Sequence, residues 1–477
     1  MSSMLKQRAV KGVMWSAIQR FSSQGVQFVL GLILARLLSP SDYGLIGMLA
    51  IFLAISDTFI DSGFSTALVQ KKDCDELDYS TSFYFSGAVG FLFYALLFLF
   101  APLIAGFYDE PQLVQLTRVL GLTLIVNSLA IVQRAKFTIN IDFKSQTKAA
   151  VSAIVISGGV GIYLAYAGFG VWALVVQNLL RRSLDLIILW CISKWMPRHG
   201  FSFQRFKDLF SFGSKLLLSG LLDTFFKNIF TIVIGKVFSA QSLGFFTRAK
   251  QFSEFPSSNI TTIIQRVTFP VLSVVQNDDF RLREGYRKII RMAALVVFPL
   301  MMGLAALAKP LVITILTAKW SETVWMLQIM CFAMMWYPIH AINLNVINVK
   351  GRSDLFLRLE VIKKVITIIM LVITIPIGIK AMLIGQIATS LLALIINTYY
   401  TKRIINYGFW QQMKDIGPVL LLSLVMGAFV YLTTGITSSK LWQLSIGSFS
   451  GLLLYGGIAW GFNIGNVRLI KDIIPKN

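Results

Sequence analysis

Between Trp15 and Gln27 the chain reads WSAIQRFSSQGVQ. Ser16, Gln19, Arg20, Ser23, Gln24 and Gln27 recur at helical spacing on one face, while Trp15, Ile18, Phe21 and Val26 cover much of the rest. A guanidinium set among amides and hydroxyls can hold an anion by charge-assisted hydrogen bonds. Arg20 has no acid three or four residues away on either side. It either reaches along its helix to a polar boundary or faces a wet cavity and binds an anion there, and the continuous polar face favours the cavity.

A second group follows later in the chain. Asp223 and Lys227 lie one turn apart with Thr231 on nearly the same face, and Arg248, Lys250 and Glu254 come next. Pairing of Asp223 with Lys227 and of Lys250 with Glu254 would neutralise four of these charges within their own helices. Three cations against two acids still leave positive charge over. Asp57 and Asp61, a turn apart in AISDTFIDSGF, either partner Arg20 or carry a coupling proton; partnering is the simpler reading. Arg181, Arg182 and Asp185 include one local pair and one spare cation, and Arg266 reads as snorkelling.

Chemistry of other kinds finds no residues to carry it. The chain lacks GxxxxGK[ST], HExxH and GxSxG, so it powers no ATP hydrolysis through a phosphate loop and presents no zinc-protease or serine-hydrolase motif. Its two histidines, His199 and His340, are too few for a histidine-based metal cluster and read as structural. Cys74, Cys191 and Cys331 are far apart, with no CxxC spacing, and read as packing residues. Asp73-Cys74-Asp75 spells a DxD like the metal site of some sugar transferases, yet stands in a short loop with no nucleotide-binding domain. The expectation is no catalytic residue, no metal and no cofactor beyond a coupling proton or sodium ion.

The elements that must position these charges are apolar helices. Of 477 residues 56% are apolar and only 14% charged, and the mean hydropathy is +0.71, which makes lipid the main solvent. A ruler of roughly 20 apolar residues per crossing gives about fourteen spans. They lie near 13–35, 43–66, 80–105, 112–133, 146–167, 170–192, 212–236, 243–268, 289–313, 323–347, 355–378, 381–400, 416–434 and 441–463. The expected class is an all-α polytopic membrane protein. MSSMLKQRAVKG resembles a signal n-region, but the apolar stretch after it is too long, contains Arg20 and lacks a cleavage site, so it reads as a retained first helix.

At these depths an unpartnered charge is expensive, which makes every intramembrane charge a site candidate. The net charge of +22 does not indicate nucleic acid, because the basic residues sit between helices rather than on a solvated face or arm. Most belong to alternate loops such as QRAKFTINIDFKSQTK, SKWMPRHGFSFQRFKD, DDFRLREGYRKIIR and VKGRSDLFLRLEVIKK. Arg36, Lys236, Lys309, Lys319, Lys380 and Lys440 lie on the other side. The positive-inside rule then places both termini in the cytoplasm, the basic loops lying near anionic lipid.

The chain also repeats itself. LILARLLSPSDYGLIGM (32–48) has an echo 200 residues on in IVIGKVFSAQSLGFFTR (232–248), with Ser39, Gly44 and Arg36 meeting Ser239, Gly244 and Lys236. INIDFKS (139–145) meets INVKGRS (347–353) at an offset of 208. Two nearly equal offsets argue for duplicated halves, 1–200 and 201–403, with two additional helices and a short tail in 404–477. An even number of spans per half makes the repeats parallel, and in transporters such repeats rock about a central site. The positions matching Asp223, Lys227, Arg248, Lys250 and Glu254 are the uncharged Ser23, Gln27, Met48, Ala50 and Ala54, so the charges serve something other than the architecture.

With KGVMWSAIQRFSSQGVQFVLGLILARLLSPSDYGLIGM at its start, an arginine in the first span and parallel six-helix halves, the chain resembles the polysaccharide flippases of the multidrug/oligosaccharidyl-lipid/polysaccharide exporter superfamily. The resemblance covers essentially the whole chain, and ARLLSPSDYG is its most specific part. It implies a V-shaped transporter with spans 1, 2, 7 and 8 around a cationic cavity. Arg20, Lys227, Arg248 and Lys250 would bind substrate there, lined by Ser16, Ser23, Gln24 and Gln27, with Asp57, Asp61, Asp223 and Glu254 for ion coupling or charge pairing. It further implies a polyprenyl-pyrophosphate-linked oligosaccharide as substrate, the bacterial cytoplasmic membrane as location, and a polysaccharide polymerase and glycosyltransferases as partners beside membrane lipids. A cation-coupled multidrug antiporter of the same superfamily and a membrane-embedded glycan polymerase or transferase are the rival readings. The cation excess weighs against the first, and the short outer loops and missing catalytic cluster against the second.

Overall fold

Helix follows helix with little chain between. The computed structural model describes residues 3–71 and 73–465, without the side chains of 3–14, 16–18, 20 and 267. The described residues form eighteen α-helices and two short 3-10 turns. By packing, the chain divides into two units, residues 1–244 and 245–477.

The first unit contains α1 (Ser3–Leu37), α2 (Pro40–Asp61), α3 (Phe64–Gln70), α4 (Glu76–Tyr108), α5 (Leu113–Ser128), α6 (Ile131–Ile139), α7 (Phe143–Tyr166), α8 (Val171–Ser193), α9 (Phe203–Val237) and the start of α10 (Ala240–Val274). Helix α7 packs on α1 and α8, and α4 on α5, while α2 touches α4, α5, α8 and α9. Thus α9 packs within the first unit, on α2, α3 and α4. The second unit continues from α10 through α11 (Asp279–Ala306), α12 (Ala308–Leu316), α13 (Thr323–Met334), α14 (Tyr337–Val349), α15 (Ser353–Thr374), α16 (Ile379–Ile405), α17 (Phe409–Thr433) and α18 (Lys440–Gly461). Its central element is α11, against which α13, α14 and α17 pack.

Among the described residues ten helical stretches are long and apolar enough to cross a membrane, against the about fourteen that the apolar ruler reads. The first, sixth, eighth and eleventh sequence spans are the ones that do not qualify. In α1 the apolar part is the shorter Phe21–Leu37. Helices α8, α10 and α15 are long enough but carry the charges, namely Arg181, Arg182 and Asp185; Arg248, Lys250, Glu254 and Arg266; and Arg358, Glu360, Lys363 and Lys364. Hydropathy and charge therefore divide the helices into an apolar set and a polar minority.

Several sequence spans are broken rather than continuous, span 9 among them at Leu307 between α11 and α12. Span 2 turns at Ser62 and Gly63, both with left-handed φ of 41° and 72°, separating α2 from α3. Gly213 of α9 packs onto this turn, where a Cβ would come 2.3 Å from the Ser62 carbonyl oxygen. Span 4 breaks at Leu129–Ala130 and span 10 at Met335–Trp336. Irregular backbone in a membrane protein is tolerated where protein or a cavity surrounds it.

The repeated corner has a physical basis in both copies. Ser39 caps α2, with Asp42 N donating to its Oγ at 3.2 Å and Ser39 N donating to Asp42 Oδ2 at 2.8 Å, and Pro40 occupies the first turn. At the matching place Ser242 N donates to Ser239 Oγ at 3.1 Å. The two helix starts then touch each other reciprocally. A Cβ on Gly44 would lie 1.7 Å from the Ala240 carbonyl oxygen, and one on Gly244 would lie 1.8 Å from that of Pro40. Only glycine admits this approach.

In the second unit a buried polar network fastens α17 to α11. Asp415 accepts from Arg287 Nε at 2.9 Å and Nη2 at 3.2 Å, and from Arg291 and the Tyr407 hydroxyl. Burial pushes the Tyr407 phenol up, which keeps it a donor to this carboxylate. Beside it Tyr286 donates to Asn343 Oδ1 at 2.6 Å, and Gln412 Nε2 donates to both at 3.0 Å.

Two outcomes follow for the purified protein in detergent. Asp415→Ala leaves two guanidiniums without their shared acceptor and lowers stability by about 3 kcal/mol, read as a fall in the thermal unfolding midpoint. Gly44→Ala and Gly244→Ala each destabilise by about 1–3 kcal/mol and by similar amounts. Gly106→Ala, whose Cβ would meet nothing within 4 Å, leaves the midpoint in place.

Candidate functional site

A group of charged side chains in the first unit gathers where the breaks in spans 2 and 4 face α8. Asp57 stands one turn before the end of α2, Asn127 just before the α5–α6 break and Arg134 just after it, and Arg181, Arg182 and Asp185 follow one another along α8. Together they line a cavity of about 340 Å³, closed on one wall by Ala150, Ala153 and Ile154 of α7. Small side chains on that wall leave the volume open.

The pairing inside this cavity is specific. Arg182 grips Asp57 with two nitrogens, Nη1 to Oδ1 at 3.3 Å and Nη2 to Oδ2 at 3.0 Å, and Asn127 Nδ2 donates to the same Oδ1 at 2.9 Å. Arg134 bridges the rest, donating to Asp185 Oδ2 and to Asn127 Oδ1, both at 2.8 Å. Sequence reasoning keeps one pair local to α8, whereas Asp185 is bonded by Arg134 of α6 and Asp57 by Arg182 of α8; Arg20, read as a partner for Asp57, has its side chain outside the described residues. Arg181 and Arg182 stand four and three residues from Asp185, within reach of it on one helix, yet the short contacts run between helices, Arg134 to Asp185 and Arg182 to Asp57. Sequence reasoning missed Asn127 and Arg134; the latter appears there only as part of a basic loop.

The remaining candidates are distributed as follows. The side chains of Ser16 and Arg20 lie outside the described residues. On the same helix the Ser23 Oγ and Gln24 Oε1 are buried and, among the described residues, have no hydrogen-bond partner, while Gln27 is exposed. Asp61 closes α2 at the Ser62–Gly63 turn. Asp223 and Lys227 are exposed on α9, and Thr231 one turn on is buried. Arg248 is 5% exposed, bonds Gln251 and lies over the Trp320 ring at 5.9 Å. It therefore serves packing as well as charge. Lys250 pairs with Glu254 at 3.8 Å on their own helix.

The DxD loop is employed as a helix cap. Asp75 accepts from Asp78 N at 2.9 Å and from Arg205 Nη2 at 2.8 Å, and the Asp78 N–H holds the Asp75 carboxyl below its usual range. Asp78, fully buried, is held by Lys71 at 2.6 Å. Burial pushes the thiol of Cys74 between them up, making it a poor nucleophile. His340 is half-buried, with Nε2 3.0 Å from Ser390 Oγ. No group of His, Cys, Asp and Glu among the described residues is arranged to hold a metal ion.

If Asp57 and Arg182 depend on each other, the double variant Asp57→Asn/Arg182→Gln loses less stability than the two single variants added together. A coupling of about 1 kcal/mol or more is expected from thermal unfolding of the four proteins; additive losses would mean that the pair is incidental.

Comparison with known proteins gives the wider setting. The profile of a family described as "Polysaccharide biosynthesis protein" matches residues 33–325. The chain is 30% identical over 360 residues to the teichuronic acid biosynthesis protein TuaB of Bacillus subtilis strain 168, covering 74% of each. It is 23% identical over 311 residues to the succinoglycan biosynthesis transport protein ExoT of Rhizobium meliloti strain 1021, covering 65% of this chain and 63% of ExoT. In fold it is similar to the lipid II flippase MurJ in an inward closed conformation, with a TM-score of 0.75 at 17% identity over 97% of this chain and 100% of that one.

Proposed function

This chain belongs to the polysaccharide biosynthesis family of the multidrug/oligosaccharidyl-lipid/polysaccharide exporter superfamily, multi-pass membrane transport proteins rather than enzymes. On that premise we propose that it flips a polyprenyl-pyrophosphate-linked oligosaccharide from the cytoplasmic to the outer leaflet of a bacterial cytoplasmic membrane. The observation that carries this reading is the family match across residues 33–325, in a chain whose intramembrane charge is concentrated on a few polar helices. Relatives named for teichuronic acid and succinoglycan biosynthesis support a lipid-linked glycan as the cargo class.

The physical problem is a multivalent anion that cannot cross hydrocarbon unaided. In the proposed cycle Arg20, Lys227, Arg248 and Lys250 replace water around the pyrophosphate, and Ser16, Ser23, Gln24 and Gln27 meet sugar hydroxyls. The exposure of Lys227 and the buried Ser23 Oγ and Gln24 Oε1, which have no hydrogen-bond partner among the described residues, support this use of α1 and α9. The polyprenyl tail stays in lipid. The repeats 1–200 and 201–403 alternate access, with 404–477 adding two helices, and about fourteen crossings put both termini in the cytoplasm. Proton or sodium coupling falls to Asp61 or Asp223, with Asp57 and Glu254 engaged in charge pairs. A polysaccharide polymerase and glycosyltransferases would act before and after this step.

Arg20→Ala and Lys227→Ala should each cut surface glycan about tenfold or more at matched expression, with lipid-linked units accumulating inside. Full export by both variants would sink the cationic assignment, and single units accumulating outside would point to a polymerase.

A further inference from the structure

We infer that the arginine cavity of the first unit is a binding site for one singly charged oxyanion, seated on Arg181. This goes beyond the transport reading, which draws its cations from α1, α9 and α10. The charge balance of the cavity is the starting point. Arg182 is committed to Asp57 through both carboxylate oxygens, and Arg134 to Asp185 and Asn127. Arg181 lines the same cavity, half-buried, with no hydrogen bond or ion pair among the described residues. A guanidinium in that position among apolar helices is expensive unless something answers it, and the one acid of its own helix, Asp185, is already engaged by Arg134.

The missing partner has a defined chemistry. Three cations against two carboxylates leave one positive charge, so one negative charge completes the set. A second would face Asp57 and Asp185 across the same space. A cation is excluded by Arg181 itself, beside Arg182. The guanidinium fork fits two oxygens of a phosphodiester or a carboxylate. The volume of about 340 Å³ is some ten times the roughly 30 Å³ share of a water molecule, enough for a lipid headgroup phosphate or an acidic sugar. The apolar wall of Ala150, Ala153 and Ile154 offers the ligand no competing hydrogen bonds.

The test uses the full chain in nanodiscs of phosphatidylcholine, titrated with sodium dimethyl phosphate, sodium glucuronate or sodium pyrophosphate against sodium chloride at equal ionic strength. Binding is read as a saturable rise in the unfolding midpoint. Dimethyl phosphate and glucuronate should raise it and chloride should not. Arg181→Gln should weaken that binding about tenfold or more, while Arg283→Gln, in a separate basic cavity, leaves it intact. Arg181→Lys, which keeps the charge and loses the fork, should bind with intermediate affinity and covers the case in which the glutamine variant fails to fold. Asp185→Asn raises the surplus to two charges and should shift preference toward pyrophosphate. Undiminished binding in both Arg181 variants, a response to chloride, no response to either monoanion, or tighter binding of pyrophosphate by the unaltered protein overturns the assignment. Phosphatidylglycerol in the nanodisc that blocks glucuronate binding identifies a lipid headgroup as the natural source; failure to block identifies an acidic sugar. Because the readout is binding without transport, its failure leaves the flippase reading untouched, and a failed export assay leaves this one untouched.

Discussion

A charge in hydrocarbon must find a partner, and in this chain that requirement decides which helices touch. Each unit has one dominant solution. In the first, Arg182 with Asp57 and Arg134 with Asp185 tie α8 to α2 and α6. In the second, Asp415 gathers Arg287, Arg291 and Tyr407, so that α17 rests on α11. Apolar packing between helices supplies little direction in lipid, because tails and leucines are equally apolar. Polar contacts supply it instead. The same constraint explains why the helices too polar to qualify as spans are those that carry the charges.

The broken helices serve this pairing. Turning the backbone at Ser62–Gly63 and again at Leu129–Ala130 brings Asp57, Asn127 and Arg134 to one level opposite α8. The turn at Gly63 accepts a positive φ that a side chain would strain. Gly213 lets α9 approach that turn closely. A continuous α5–α6 rod would carry Arg134 along a single axis away from Asn127's level, and the bridge between Asp185 and Asn127 would need another residue.

Much of this was legible from residue order. The apolar ruler found every long helix, the composition excluded soluble and nucleic-acid-binding classes, and the capped corners at Ser39 and Ser239 stood out as repeats. The breaks were legible only in part. Ser62–Gly63 carries a turn residue, whereas Leu129–Ala130 and Met335–Trp336 are apolar and give no local sign of bending. Asp57, Arg181, Arg182 and Asp185 were visible as intramembrane charges, but not their partners. The pairs join residues 51 and 125 positions apart, and no periodicity encodes such a distance. Arg134 and Asp415 escaped for a related reason. Each stands at the edge of an apolar stretch, where a charge reads as a loop residue until its acceptor on another helix is known.

The corner at Gly44 and Gly244 has a consequence of another kind. Its two contacts are exchanged copies of each other, glycine against carbonyl in both directions, which is the pattern of an isologous two-fold interface. Because both surfaces belong to one chain, the contact is intramolecular and does not depend on protein concentration. A larger side chain at either glycine has to be accommodated by the facing helix start, so charge can change along these helices more freely than shape can at this corner.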